Sequence, residues 1–122
     1  MSQADQDKRI DYIEFPTTSI GTSKAFYADV FGWRFTDWGN EYSSFEDGRL
    51  AGGLRLVDAV EAGGPLVVIY ALHLEAMQAK IEHSGGTIVE SIFSFPGGRR
   101  FHFADPSGNV LAVWSDQEPS DG

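Results

Sequence analysis

Apolar and polar positions along this chain repeat with two different periods, and the period switches several times. Arg9-Ile10-Asp11-Tyr12-Ile13-Glu14-Phe15 repeats every two residues, with Ile10, Tyr12 and Glu14 on one face and Asp11, Ile13 and Phe15 on the other. Both faces carry apolar groups, so the pattern predicts a strand at least half covered on each side and ending at Pro16. Thr17-Thr18-Ser19 supplies helix-entry hydroxyls, and Ile20–Phe31 then changes to helical spacing, with Phe26 and Val30, and Tyr27 and Phe31, four apart. Gly32 can take the left-handed conformation that stops a helix. Trp33–Asp37, Ser43–Glu46 and Leu50–Val57 read as three short strands, punctuated by Asn40, Asp47-Gly48 and Gly52-Gly53.

The same order restarts after a Gly-rich loop, Asp58–Pro65. Leu66–Leu72 is a continuous apolar run and predicts a buried strand. His73–Ser84 places Leu74, Met77 and Ile81 at helical spacing and ends at Gly85-Gly86. Thr87–Phe95, Arg99–Ala104 and Val110–Ser115 follow as strands, separated by Pro96-Gly97-Gly98 and by Asp105-Pro106-Ser107-Gly108-Asn109. The order β-α-β-β-β therefore occurs twice. The expected fold is α+β: one domain over residues 9–116, made of modules at about 9–57 and 66–116 that form a curved mixed sheet around a cleft. Residues 1–8 and 117–122 are polar and acidic, and read as disordered tails.

Composition narrows the partners. The chain has 122 residues, enough for one domain with a core, and a net charge of −9 that would repel a phosphate backbone. The one basic pair near an aromatic cluster, Arg99-Arg100, reads as a solvated turn, so no nucleic-acid partner is expected. No apolar run approaches the roughly 18 residues of a membrane span, and Met1–Arg9 lacks the apolar stretch of a signal peptide. Cysteine is absent, which removes disulfides and thiolate ligands. A cytoplasmic location is the default expectation.

Two groups of residues carry a family resemblance. Ile13-Glu14-Phe15-Pro16 followed by Ser23-Lys24-Ala25-Phe26-Tyr27-Ala28-Asp29-Val30-Phe31-Gly32-Trp33 resembles the first module of the vicinal oxygen chelate superfamily, which includes glyoxalase I, bleomycin-resistance proteins and extradiol dioxygenases. In the second half, Ser84-Gly85-Gly86, Arg100-Phe101-His102-Phe103 and Asp105-Pro106-Ser107-Gly108-Asn109 match it in the same order. The resemblance spans roughly residues 9–115. It implies the paired-module fold, a homodimer that in some members exchanges modules, and in many members a divalent ion held by His, Glu or Gln from four strands.

The positions that the resemblance assigns to those ligands are Tyr12, a residue within Gly53–Leu56, Leu66 or its neighbour, and Ala112. None of them is His, Glu or Gln, so neither metal nor cofactor is expected. His73 and His83 lie roughly 15 Å apart along one helix, too far to share an ion. His102, between Phe101 and Phe103, is either a half-buried histidine bonded to a neighbour or a ligand contact. Glu14 shares a strand face with Tyr12; it bonds a ligand, pairs with Arg55 or Arg100, or makes a structural hydrogen bond at the rim. Trp114 shares a face with Ala112. Tyr12, Glu14, Trp114, Phe45 and His102 are thus the candidate lining of an aromatic-walled pocket.

No Cys, nucleophile elbow or phosphate-cradling glycine loop points to another chemistry. The leading expectation is a metal-free protein that sequesters or senses a small, partly aromatic ligand. The alternatives are a metal-dependent lyase or dioxygenase with displaced ligands, an acid–base enzyme using Glu14, and an accessory interaction domain.

Overall fold

The structure, a computed structural model, describes residues 3–119. After a 3₁₀ turn at Gln3–Gln6, the first module runs β1 (Tyr12–Thr17), α1 (Ile20–Phe31), β2 (Arg34–Asp37), β3 (Tyr42–Glu46) and β4 (Ala51–Leu56). The second runs β5 (Val67–Tyr70), α2 (Leu74–His83), β6 (Thr87–Phe95), β7 (Gly98–Ala104) and β8 (Val110–Ser115). Each module forms a four-stranded mixed sheet, ordered β1-β4-β3-β2 and β5-β8-β7-β6, in which the first and last strands are parallel. Strands that pair in parallel need a long crossover connection, and α1 with β2 and β3, and α2 with β6 and β7, supply it.

The helix ends form as the pattern predicts. Ser19 caps α1 by accepting from the Thr22 amide, and Gly32, at φ 74°, donates its amide to Ala28 and turns the chain out of the helix. Beyond α2, Gly86 lies so close to Ile81 and Phe26 that a side chain there would displace them.

One core joins the modules. On the first sheet, Phe15 packs 6.0 Å from Tyr27 and Phe45 packs 4.4 Å from Trp33. On the second, Phe103 lies 6.1 Å from both Phe26 and Phe31 of the first helix. Helix α1 therefore touches both sheets, and Leu54, Leu74, Ile81, Phe101, Leu111 and Val113 complete the buried cluster between them. Each sheet spends one face on this shared core. Because side chains alternate, the other face of each sheet is directed away from it.

Three sequence expectations are corrected. The first strand does not stop at Pro16 but runs through it to Thr17. It lies at a sheet edge, and the Pro16 carbonyl faces Asn109 Nδ2 at 2.7 Å, away from the ladder, so the missing N–H costs no ladder bond. Leu66–Leu72 is not a buried strand: Leu66, Val68, Tyr70 and Leu72 are all exposed, because among the described residues no layer covers its outer face. Arg99-Arg100 is not a solvated turn. Both residues lie within β7; Arg99 is bonded to Glu75 of α2, and Arg100 lies over Phe93 and Phe95.

Candidate functional site

The modules are stapled by the loop between β7 and β8. Asp105 is buried and accepts from the amides of Ser107 and Asn109 at 2.9 Å each, from Asn109 Nδ2 at 3.0 Å and from Tyr27 Oη at 2.7 Å. Ser107 Oγ meets Thr17 Oγ1 at 2.9 Å, and Thr17 Oγ1 meets Ser23 Oγ at 2.7 Å. A polar knot from β1, α1 and this loop thus fixes how the two outer faces are set. Burial, then the charge of Asp105, pushes the Tyr27 phenol well above its ordinary range.

Strand register defines the outer face of the first sheet. Glu14 lies beside Gly53, Gly53 beside Ser44, and Arg55 beside Tyr42. On this face Tyr12 Oη and Tyr42 Oη are 2.6 Å apart, Tyr42 donates to Glu14 Oε2 at 3.0 Å, and Arg55 Nε donates to Glu14 Oε1 at 3.2 Å. Gly53 forms the floor beneath the two phenols, where a Cβ would collide with both hydroxyls. Of the partners weighed for Glu14, Arg55 is the one present. The pair is exposed enough to be worth only about 0–1 kcal/mol, so stability does not account for the cluster.

The outer face of the second sheet is more aromatic. Val68 pairs with Ala112, Ala112 with His102, Tyr70 with Trp114, and Trp114 with Arg100. Trp114 lies 5.3 Å from Tyr70 and 6.4 Å from Phe95, and Phe93 lies 5.9 Å from His102. Register irregularities in β6 bring Glu90 opposite His102 while leaving Phe93 opposite Arg100. His102 Nδ1 is 3.8 Å from Glu90 Oε2. Tyr70 donates to Asp116 Oδ1 at 2.7 Å; that bond, then desolvation, raises its phenol, and the same bond lowers the Asp116 carboxyl.

Tyr12 and Glu14 therefore share one outer face, and His102 and Trp114 share the other. Phe45 belongs to neither, which corrects its place among the lining residues. It pairs with Gly52 and Phe35, is 4% exposed, and faces the core, where it lines a separate apolar cavity of about 470 Å³ with Ile13, Val67 and Met77. A smaller cleft of about 240 Å³ lies where Glu14 and Pro16 approach Asn109, Val110 and residues 61–65. Sequence reasoning missed Tyr42, Tyr70, Phe93 and Phe95. Phe93 was within reach, because the turn at Pro96-Gly97 sets Phe95 opposite Gly98 and hence Phe93 opposite Arg100.

The residues at the expected ligand positions do not suit a divalent ion. Tyr12 and Gly53 stand on the first sheet and Ala112 on the second; Leu66, the position expected on the fifth strand, precedes β5, and it is Val68 that pairs with Ala112, while the nearby Glu14 is already engaged by Arg55 and Tyr42. Among the described residues, no three His, Cys, Asp or Glu side chains come together as a metal group.

The phenols make a first prediction. The Tyr42 hydroxyl is raised by desolvation and then by its bonds to Tyr12 and Glu14. Of the four tyrosines, Tyr27, Tyr42 and Tyr70 should ionise later than the ordinary value of 10.0 in a phenolate absorbance titration. The neutral phenol is the form the fold favours. Its stabilisation is thus complete below the unfolded pKa and lost as pH rises through the folded one. A titration in which all four ionise together at the ordinary value, with the fold intact, would contradict these contacts.

Two βαβββ modules packed about one shared core, each with an outward sheet face, define a paired-module α+β fold. The family profile of the Glyoxalase/Bleomycin resistance protein/Dioxygenase superfamily matches residues 9–113, and the chain belongs to that superfamily. A glyoxalase-related enzyme from Fulvimarina pelagi superposes with a TM-score of 0.77 at 18% identity, over 88% of each chain. A lactoylglutathione lyase from Agrobacterium tumefaciens gives 0.68 at 19% identity, over 88% of this chain and 93% of that one. A fosfomycin resistance protein from Listeria monocytogenes, complexed with Mn(II) and a dihydroxypropylphosphonic acid, gives 0.76 at 14% identity, over 87% and 88%. No curated protein matches the chain. At these identities the likeness is one of fold. Among the described residues no helix is long and apolar enough to cross a membrane.

Proposed function

We propose that this protein is a metal-independent binder of a small, partly aromatic ligand, acting as a cytoplasmic homodimer that either sequesters or senses it. The observation that carries this reading is the outer face of the second sheet, where Tyr70, Phe93, Phe95 and Trp114 surround Arg100 and His102. An aromatic surface with a few polar groups is the usual make-up of a small-molecule site. Acid–base catalysis by Glu14 is less well supported, since Arg55 and Tyr42 already occupy both carboxylate oxygens.

The placement of the two faces supports the dimer. They are turned away from a common core, so one chain offers two half-sites and closes neither. Tyr12, Val68 and Tyr70 are left exposed, which is costly for large apolar groups. A second copy that sets its Tyr12 face against the Trp114 face of the first would enclose two equivalent pockets by two-fold symmetry. Sedimentation at micromolar concentration should give twice the 13.4 kDa chain mass. Thermal unfolding across a panel of aromatic metabolites and antibiotics, with and without divalent ions, tests binding. A ligand at a hundred times its Kd should add about 2.7 kcal/mol. A monomer, or stabilisation only when metal is added, would count against the proposal.

A further inference from the structure

The second sheet's outer face carries a cation that the protein leaves without an acid. Arg55 is paired with Glu14 and Arg99 with Glu75. Among the described residues no carboxylate pairs with Arg100; Arg9, Arg34, Arg49 and Lys80 are likewise without an ion pair, but none of those lies in the second sheet. What Arg100 has instead is aromatic: its guanidinium carbon lies 5.4 Å from the Phe93 ring centre and 5.8 Å from that of Phe95. A guanidinium over a ring uses its face for the aromatic contact, which leaves the in-plane N–H edge to be bonded. Among the described residues three buried side-chain nitrogens have no hydrogen-bond partner: Arg99 Nε, whose guanidinium is held by Glu75 through its Nη atoms, and, on the outer face, Arg100 Nε and His102 Nε2. Buried nitrogens of this kind are expected to be satisfied, and an unsatisfied one costs about 1–3 kcal/mol.

We propose that Arg100 receives the carboxylate of a planar aryl acid, and that His102 takes a second polar substituent of the same ligand. The proposal rests on the small-molecule reading above and names the ligand class for that site. Arg100 and His102 are alternate residues of one strand, so their side chains leave the same face about 6.6 Å apart. That separation suits two substituents at opposite ends of one aromatic ring. Trp114 is the cross-strand neighbour of Arg100, and Tyr70 is next to Trp114, so a flat ring seated there has aromatic walls. A carboxylate accepts from the planar guanidinium fork in a way that a lone lysine could not match.

Calorimetric titration with 2-naphthoate, 2-naphthamide and 2-naphthylmethylamine tests the claim on the full chain. Naphthoate should bind at least tenfold more tightly than the neutral amide or the amine. Arg100→Gln should abolish that preference, and Arg100→Lys should restore only part of it. Arg99→Gln removes the same charge from the neighbouring position, whose side chain faces Glu75, and should leave the preference intact. Melting curves verify that each variant folds. Equal binding of all three probes, or a preference that survives in folded Arg100→Gln, overturns the anion proposal and leaves the binding site standing. If none of the probes binds, and the wider aromatic panel shifts no melting curve either, the small-molecule reading falls with it.

Discussion

Asp105→Ala is expected to destabilise this chain about as much as truncating a fully buried core side chain. The carboxylate is buried and answers four donors: two amides of its own turn, the Asn109 side chain and the Tyr27 phenol. Alanine removes the acceptor of the two amides and the phenol, while Asn109 Nδ2 keeps only its bond to the Pro16 carbonyl. A buried donor stranded in this way costs about 1–3 kcal/mol, and relaxation can recover only some of them, so a total of about 4 kcal/mol is expected. For a domain of this size that corresponds to a fall in Tm of roughly 15 °C. The loss should also reach the interface between modules, because Tyr27 belongs to the first and Asp105 to the second. Tyr27→Phe, which removes one donor and keeps the ring, should cost far less, about 1 kcal/mol. Chemical denaturation of the two variants separates the contributions. Near-equal midpoints would mean that the turn does not depend on the carboxylate.

Much of the fold was legible because local signals agreed with one another. Ser19 and Gly32 bracket the first helix, the Asp105–Asn109 run demands a turn, and the repeated order of elements reinforced each assignment. The differences come from tertiary placement. Pro16 reads as a stop only if both sides of the strand are paired; at an edge it is harmless. Leu66–Leu72 reads as buried because its composition is apolar, yet composition does not reveal that no layer among the described residues covers its outer face. The site was harder. Glu14, Tyr12 and Trp114 could be assigned to faces by period two, whereas the face of His102 and Arg100, and the neighbours of all of them, depend on strand register. Tyr42 reaches Glu14 because β3 and β4 pair with Tyr42 opposite Arg55, a match set by residues far apart in sequence. Phe45 was misplaced for the same reason, since a shift of one residue moves a side chain through the sheet.

Gly52→Val should show how closely that register is specified. The two adjacent glycines of β4 serve opposite faces. Gly52 points to the core, where a Cβ would be driven into the Ile13 carbonyl and the Phe45 ring. The carbonyl belongs to the paired strand and cannot swing aside, and Phe45 is held 4.4 Å from Trp33 and 6.3 Å from Phe15. Overpacking of this kind costs about 3 kcal/mol, and separating β1 from β4 would also disturb the outer face that carries Glu14. Gly53 points outward, where a Cβ would meet the ends of the Tyr12 and Tyr42 side chains instead of backbone. Those ends can rotate away, so Gly53→Ala should fold with a loss of about 1 kcal/mol or less while breaking the bond between the phenols. The pair of variants therefore separates the roles of the two faces. Gly52→Val should lower the denaturation midpoint sharply, whereas Gly53→Ala should keep it and bring the Tyr42 ionisation back toward the ordinary range in the phenolate titration. If Gly52→Val kept a native midpoint, β1 and β4 could not be paired in the register that sets Ile13 beside Gly52.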